Sequence, residues 1–139
     1  MSARFVLVFI VVVTAFVACH KNSNAPTAPT ISGLYQYTGY DTTGLVVATG
    51  SVTLVRQDSL ISGKRNLTGT ALEADSGAVD GSVDAQGDIV INFLSQRVGM
   101  IYVVGKQSGS TIAGNRYLDT GASLVGRKAG TLQLAALGS

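Results

Sequence analysis

The feature that most constrains this chain is its punctuation. Short clusters of turn-forming residues recur through residues 31–139: Asp41-Thr42-Thr43-Gly44, Asp58-Ser59, Asp75-Ser76-Gly77, Ala85-Gln86-Gly87, Ser95 to Gly99, Ser108-Gly109-Ser110 and Asp119-Thr120-Gly121. Asp and Ser side chains bond to nearby backbone and Gly tolerates positive φ, so such clusters end an extended run and reverse it. The seven clusters separate eight extended segments, and none of these spaces its apolar residues at helical intervals. Extended segments in regular succession predict an all-β, antiparallel fold.

Alternation supports that reading. Ile89, Ile91 and Phe93 share one face of their segment, as do Val52 and Leu54. Ile101 and Val103 alternate with Tyr102 and Val104, so this segment is apolar on both sides and calls for a loop or partner over its second face. A triplet of apolar residue, any residue, glycine recurs as Ile31-Ser32-Gly33, Ile61-Ser62-Gly63, Leu67-Thr68-Gly69, Val79-Asp80-Gly81, Ile112-Ala113-Gly114 and Leu124-Val125-Gly126. Glycine within a strand marks a bulge or sharp bend, and small closed barrels bend at such corners. The expected architecture is an eight-stranded antiparallel up-and-down meander closing into a small barrel, with a two-sheet sandwich as the alternative. Closure removes the unpaired edges that invite aggregation. An eight-stranded interior is filled by side chains or holds one small ligand. Tyr35, Ile89, Ile91, Phe93 and Val103 are the residues expected to line such a ligand site.

The first thirty residues have another character. Met1 to Arg4 carry one positive charge, Phe5 to Val13 are uninterrupted apolar residues, and Ala15-Phe16-Val17-Ala18 lead to Cys19. This is signal-peptide layout, and the apolar run is shorter than the roughly 20 residues that a spanning helix needs. His20 to Thr30 contain both prolines and almost no apolar bulk, the composition of a tether. Its eleven residues reach about 34 Å at most in extended, proline-stiffened form. The expected organisation is therefore a signal peptide over 1–18, an anchor and tether over 19–30, and one domain over 31–139.

Composition limits the chemistry. Loss of residues 1–18 removes Arg4 from 10 Lys and Arg, leaving the remainder close to balance against 8 Asp and Glu, with no basic run longer than Lys64-Arg65 or Arg127-Lys128. Those pairs read as solvated strand ends, and nucleic acid is not an expected partner. A single cysteine forms no intramolecular disulfide, and a single histidine in the tether supplies neither a zinc ligand set nor a Ser-His-Asp triad. No catalytic residue, metal or cofactor is expected. Asp75, Asp80, Asp84 and Asp88 lack the spacing of an EF-hand loop; Asp84 and Asp88 flank a predicted hairpin, where Asp serves local backbone bonds.

Three resemblances add expectations. Val17-Ala18-Cys19 after the apolar run resembles the lipobox of bacterial lipoproteins, with Phe16 where that family usually has Leu. The resemblance implies lipidation of Cys19, and His20 in place of the family's Asp retention signal implies the outer membrane. Ordinary cleavage after Ala15 is the alternative. One acyl chain holds a membrane marginally, at about 0.8 kcal/mol per buried CH₂, and the family's diacylglyceryl group would supply more than one chain. Gly33-Leu34-Tyr35, with Arg116 and Arg127 on late strands, resembles the calycin barrels, where a late basic residue packs over the Trp of Gly-x-Trp; Tyr35 takes that place here. Ala113 to Asp119 followed by Leu124 to Lys128 is similar to motifs of membrane-bound inhibitors of C-type lysozyme, which implies that Arg116, Tyr117, Arg127 and Lys128 face a protein partner. The expected function is a lipid-anchored, non-enzymatic envelope module binding a small apolar ligand or envelope lipid. The alternative is a structural or protein-interaction role that includes lysozyme inhibition.

Overall fold

The computed structural model describes residues 30–95, 99–119, 121 and 126–138. Eight strands follow in chain order: β1 (Gly33–Tyr40), β2 (Val46–Gln57), β3 (Leu60–Gly69), β4 (Ser76–Val83), β5 (Asp88–Ser95), β6 (Gly99–Ser108), β7 (Thr111–Asp119) and β8 (Arg127–Ala136). Each pairs antiparallel with the next, and β8 returns to β1 from Tyr35↔Ala136 to Tyr40↔Thr131, closing an up-and-down barrel. The barrel, and not the sandwich, is the architecture.

Alternation dictates the inside. Tyr35, Tyr37, Val52, Leu54, Ile61, Leu67, Val79, Val83, Ile89, Ile91, Phe93, Ile101, Val103, Ile112, Leu132 and Leu134 all point inward and form one buried cluster. Within β3, β4 and β7 the apolar-x-glycine triplets set both outer members on this same face, two residues apart. At Gly114 a side chain has no room: an added Cβ would stand 2.5 Å from Val104 O and 2.7 Å from the Cα of Gly105, its cross-strand partner. Glycine here lets two backbones approach and the sheet curl shut.

The two ends differ. At one end lie the β2–β3, β4–β5 and β6–β7 hairpins together with both described termini. Ile31 is buried there under the Tyr35 hydroxyl, which donates to Ile31 O at 2.8 Å, and Leu137 N donates to Leu34 O at 2.9 Å. This is the closed end. The other end carries the loops after β1, β3, β5 and β7, and is the open end.

Six of the seven expected turns coincide with strand connections, and one is displaced. The turn expected at Asp75-Ser76-Gly77 lies instead at residues 70–75, and Ser76 already pairs with Asn66 in the β3–β4 ladder. Thr70 N and Ala71 N donate to Val47 O at 2.8 and 3.0 Å, which folds the loop inward across the open end. One basic pair also separates. Lys64 is exposed as expected, but Arg65 is buried, because it shares inward parity with Ile61, Gly63 and Leu67. The carboxylates serve local structure: Asp84 accepts from Gln86 N and Asp88 N at 2.9 and 2.8 Å, Asp80 accepts from Asn92 at 2.7 Å, and Asp88 meets Lys106 at 3.0 Å.

Candidate functional site

Across the open end the aliphatic core gives way to a polar layer. Tyr37 and Phe93 meet edge to face, with centroids 5.8 Å apart, and the Arg65 guanidinium lies 5.9 Å from the Phe93 centroid. Arg65 Nε donates to Asp75 Oδ1 at 2.9 Å, and its Nη2 donates to Leu94 O at 2.7 Å, so the guanidinium ties β5 to the start of β4. Glu73, at the centre of the inward-folded loop, is fully buried. Its Oε1 accepts from the Tyr37 hydroxyl at 2.7 Å and from Arg116 Nη2. Arg116 Nη1 donates to Tyr40 O at 2.9 Å and Ala129 O at 3.4 Å. Tyr37, Glu73 and Arg116 thus come from β1, the β3–β4 loop and β7 to one buried point.

This cluster floors a depression of about 320 Å³. Val47, Leu72, Ile101 and Leu118 give it apolar walls, and Asp41, Arg127 and Lys128 stand among its charged lining. That size matches a small-molecule site. Among the described residues, two buried atoms of the pair, Glu73 Oε2 and Arg116 Nε, have no hydrogen-bond partner. A second depression of about 430 Å³ on the outer face of β3 and β4 has Asp80 as its one charged lining residue, already bonded to Asn92. No group of three or more metal-ligating side chains occurs among the described residues.

The electrostatics of the mouth are lopsided. Its lining holds three cations, Arg116, Arg127 and Lys128, against two carboxylates, Glu73 and Asp41. Glu73 is neutralised by Arg116. Asp41 turns its carboxylate into its own loop, accepting from Thr43 Oγ1 at 2.6 Å, Thr43 N at 2.8 Å and Leu45 N at 3.0 Å, and these bonds, the hydroxyl first, hold its pKa below the usual carboxylate value. Arg127 and Lys128 are exposed, and neither meets a carboxylate among the described residues. Burial, reinforced by the Glu73 charge, pushes the Tyr37 phenol well above its ordinary pKa, and burial also raises Tyr35.

The residues singled out from the sequence separate into three groups. Tyr35, Ile89, Ile91, Phe93 and Val103 are packed into the core and do not line the depression. Arg116 does not face a partner, as the inhibitor resemblance implied, because its inward parity with Ile112 and Gly114 buries it. Nor does it pack over Tyr35, as the calycin resemblance implied: Tyr35 sits toward the closed end, bonded to Ile31, and Arg116 bonds at the open end. Arg127 is exposed on the rim, paired in register with Leu118, and so is Lys128, paired with Tyr117. Tyr117 lies half-buried outside the barrel, stacked on Tyr102 at 5.2 Å and 16°. The Tyr102 hydroxyl accepts from Gly126 N at 3.1 Å, so part of the second apolar face of β6 is covered by the chain's own β7–β8 connection. Cys19, His20 and the tether lie outside the described residues.

Nothing in the strand patterning singles out Glu73. Its only local signal is a lone carboxylate inside Ala71-Leu72-Glu73-Ala74, a run too apolar for an exposed turn. Comparison with known proteins returns no matching family model, no matching curated protein and no matching solved structure.

Proposed function

We propose that this protein is a lipid-anchored, non-enzymatic binding module of the cell envelope, held by Cys19 at the outer membrane, whose ligand site is the open mouth of the barrel. The observation that carries the reading is the depression of about 320 Å³ floored by a buried Glu73–Arg116 pair. The mouth is favoured over the barrel interior as the site, since the aliphatic residues expected to line the interior form the packed core. The pair serves as a fixed recognition floor, because Arg116 and Tyr37 both hold one oxygen of Glu73.

Two measurements on the full chain produced in a Gram-negative host test the reading. Mass spectrometry of the mature N-terminus is expected to find a diacylglyceryl group on Cys19; an unmodified N-terminus at Phe16 refutes the anchor. Native mass spectrometry is expected to find a small molecule that co-purifies and is lost when the mouth is blocked by Ala129→Trp. A chain that is ligand-free under all conditions, or whose ligand is indifferent to Ala129→Trp, refutes the site.

A second reading has its own observation, the outward Tyr102–Tyr117 stack with exposed Lys128 opposite Tyr117. That surface suits a protein partner, including the acidic cleft of a lysozyme. Lysozyme activity unchanged by excess purified chain disposes of the inhibitor version.

A further inference from the structure

We infer that the closed end of the barrel seats on the bilayer through a stripe of exposed aliphatic side chains, Leu137, Leu34, Val55 and Leu60, an inference that rests on the proposed anchor at Cys19. The anchor brings the domain to the membrane, and the stripe decides which end touches it.

The four residues come from the neighbouring ends of β8, β1, β2 and β3. Tyr35, Leu54 and Ile61 point into the core, so Leu34, Val55 and Leu60, each one position away, point out. Leu137 follows β8; its N–H donates to Leu34 O, and the β1–β8 register continued by one residue sets it opposite Leu34. Leu34 pairs with Thr53, which puts Val55 on its diagonal, and Val55 pairs with Ser62, which puts Leu60 on the next. Long side chains reach one another across such diagonals. Each diagonal steps two residues toward the closed end, and strand tilt offsets the step, so the stripe follows the rim at nearly one level. All four residues are between 45% and 66% exposed. The large exposed aliphatics of the open end do not join in this way: Leu45 and Val46 stand at the start of β2 and Leu94 at the end of β5, three strands away.

A continuous exposed apolar patch marks a contact surface, and the entry of the chain says what it contacts. Thr30, four residues before Leu34, lies at the same end, held by Gln107. The eleven residues from His20 to Thr30 keep Cys19 within about 34 Å of it. Tethering turns a weak contact into an intramolecular one, so four half-exposed aliphatic side chains suffice where they would not hold a free protein. The contact is apolar rather than ionic, since Lys106 is paired with Asp88 and Arg56 donates to Asp58 O. A zwitterionic bilayer is therefore enough.

The chain has no tryptophan, so one introduced indole reports one place. Leu60→Trp and Leu94→Trp are matched in exposure, at 66% and 67%, and lie at opposite ends of the barrel. Each variant of the full, lipidated chain is bound to phosphatidylcholine vesicles with plain or dibrominated acyl chains, and flotation reports the anchor. The indole of Leu60→Trp is expected to emit at shorter wavelength than that of Leu94→Trp and to be quenched by the bromines. That of Leu94→Trp is expected to be quenched by aqueous iodide alone. Adding Leu34→Asn with Leu137→Asn, both outward and exposed, is expected to shift the seat at least about ten-fold toward release, read as loss of bromine quenching in Leu60→Trp, with flotation and the circular dichroism spectrum unchanged. A chain that does not float refutes the anchor and the seat with it. A chain that floats with the Leu60→Trp indole open to iodide refutes the seat alone. Bromine quenching of equal strength at both positions refutes the end-on orientation, and quenching that survives the added Asn replacements refutes the stripe as its cause. Protection from iodide without bromine quenching assigns the stripe to a protein contact, such as a second copy of the chain, and refutes the seat.

Discussion

Removal of Arg116 alone should damage this domain far more than removal of Arg116 and Glu73 together. Both side chains are almost wholly buried, at 3% and 0% exposure, so solvent does little to screen what is left behind. Arg116→Met strands the Glu73 carboxylate with the Tyr37 hydroxyl as its remaining donor, and frees Tyr40 O from its side-chain bond. Breaking a buried pair from one side costs about 3–5 kcal/mol. A domain of this length has a total stability of about 5–15 kcal/mol, and each kcal/mol moves its midpoint by about 4 °C. The expected fall is therefore about 12–20 °C. The double variant Glu73→Leu with Arg116→Met removes both charges and fills the space with hydrocarbon, and such exchanges are often neutral or favourable. Its midpoint should lie within about 5 °C of the parent.

The measurement is a thermal and urea double-mutant cycle followed by circular dichroism, with the four proteins Arg116→Met, Glu73→Leu, the double variant and the parent. The expected coupling is several kcal/mol, which separates a true pair from two independent losses. A loss below about 1 kcal/mol for Arg116→Met, or a double variant whose loss equals the sum of the singles, refutes the buried-pair account.

Three further outcomes are expected. Tyr37 keeps its proton in the folded chain at pH values where the unfolded chain, with tyrosines near pH 10, has released it. Stability should be complete below pH 10 and fall as pH rises above it, by up to about 1.4 kcal/mol per pH unit for this proton. Tyr37→Phe should flatten that alkaline limb in a urea series from pH 8 to 11.5, and an unchanged limb would assign it elsewhere. Gly114→Ala should cost about 1–3 kcal/mol, since the new methyl meets backbone on the neighbouring strand. Gly109→Ala, at φ +57 in open space, should cost less, about 1 kcal/mol, in the same denaturation assay. Asp41 has a depressed pKa, so the stability it lends is present above the unfolded carboxylate value near 3.8 and is lost as pH falls below it. Asp41→Ala should remove part of the acid limb between pH 4 and 2 without altering the alkaline one.

The barrel was legible because its grammar is local. Turn clusters, two-residue alternation and the apolar-x-glycine triplets each act within a few residues, and together they fixed strand number, antiparallel order and most boundaries. The polar layer is not local. Arg116 and Glu73 lie 43 residues apart in sequence and meet only because the β3–β4 loop folds across an end that β7 also reaches. Strand parity held the missing half of the signal: Arg65 follows Ile61 and Gly63, and Arg116 follows Ile112 and Gly114, at intervals that put each guanidinium inside. A basic residue on the apolar face of a barrel strand needs a buried acid. Two acids were available in the one connection whose turn was misplaced, Glu73 and Asp75. The shift of that turn and the burial of those arginines are thus one fact, since the loop must enter the barrel end to supply both carboxylates.

The direction from which the chain enters the barrel bears on which ligands can reach the mouth. Thr30, the first described residue, sits at the closed end, where Gln107 Nε2 donates to its carbonyl at 3.2 Å. Strands of about ten residues, rising about 3.3 Å each and tilted by about 40°, set the open end about 25 Å further on. A tether reaching at most about 34 Å from Cys19 would have to run back along nearly the whole barrel to bring the mouth to the bilayer. On the proposed anchoring, the mouth therefore samples the aqueous phase, and a soluble polar ligand is favoured over a bilayer lipid. On vesicles carrying the lipidated chain, amides of the mouth should stay as accessible to a water-soluble paramagnetic agent as they are in detergent, because the bilayer does not cover the site. Loss of that access on reconstitution would show the mouth facing the membrane and refute the orientation.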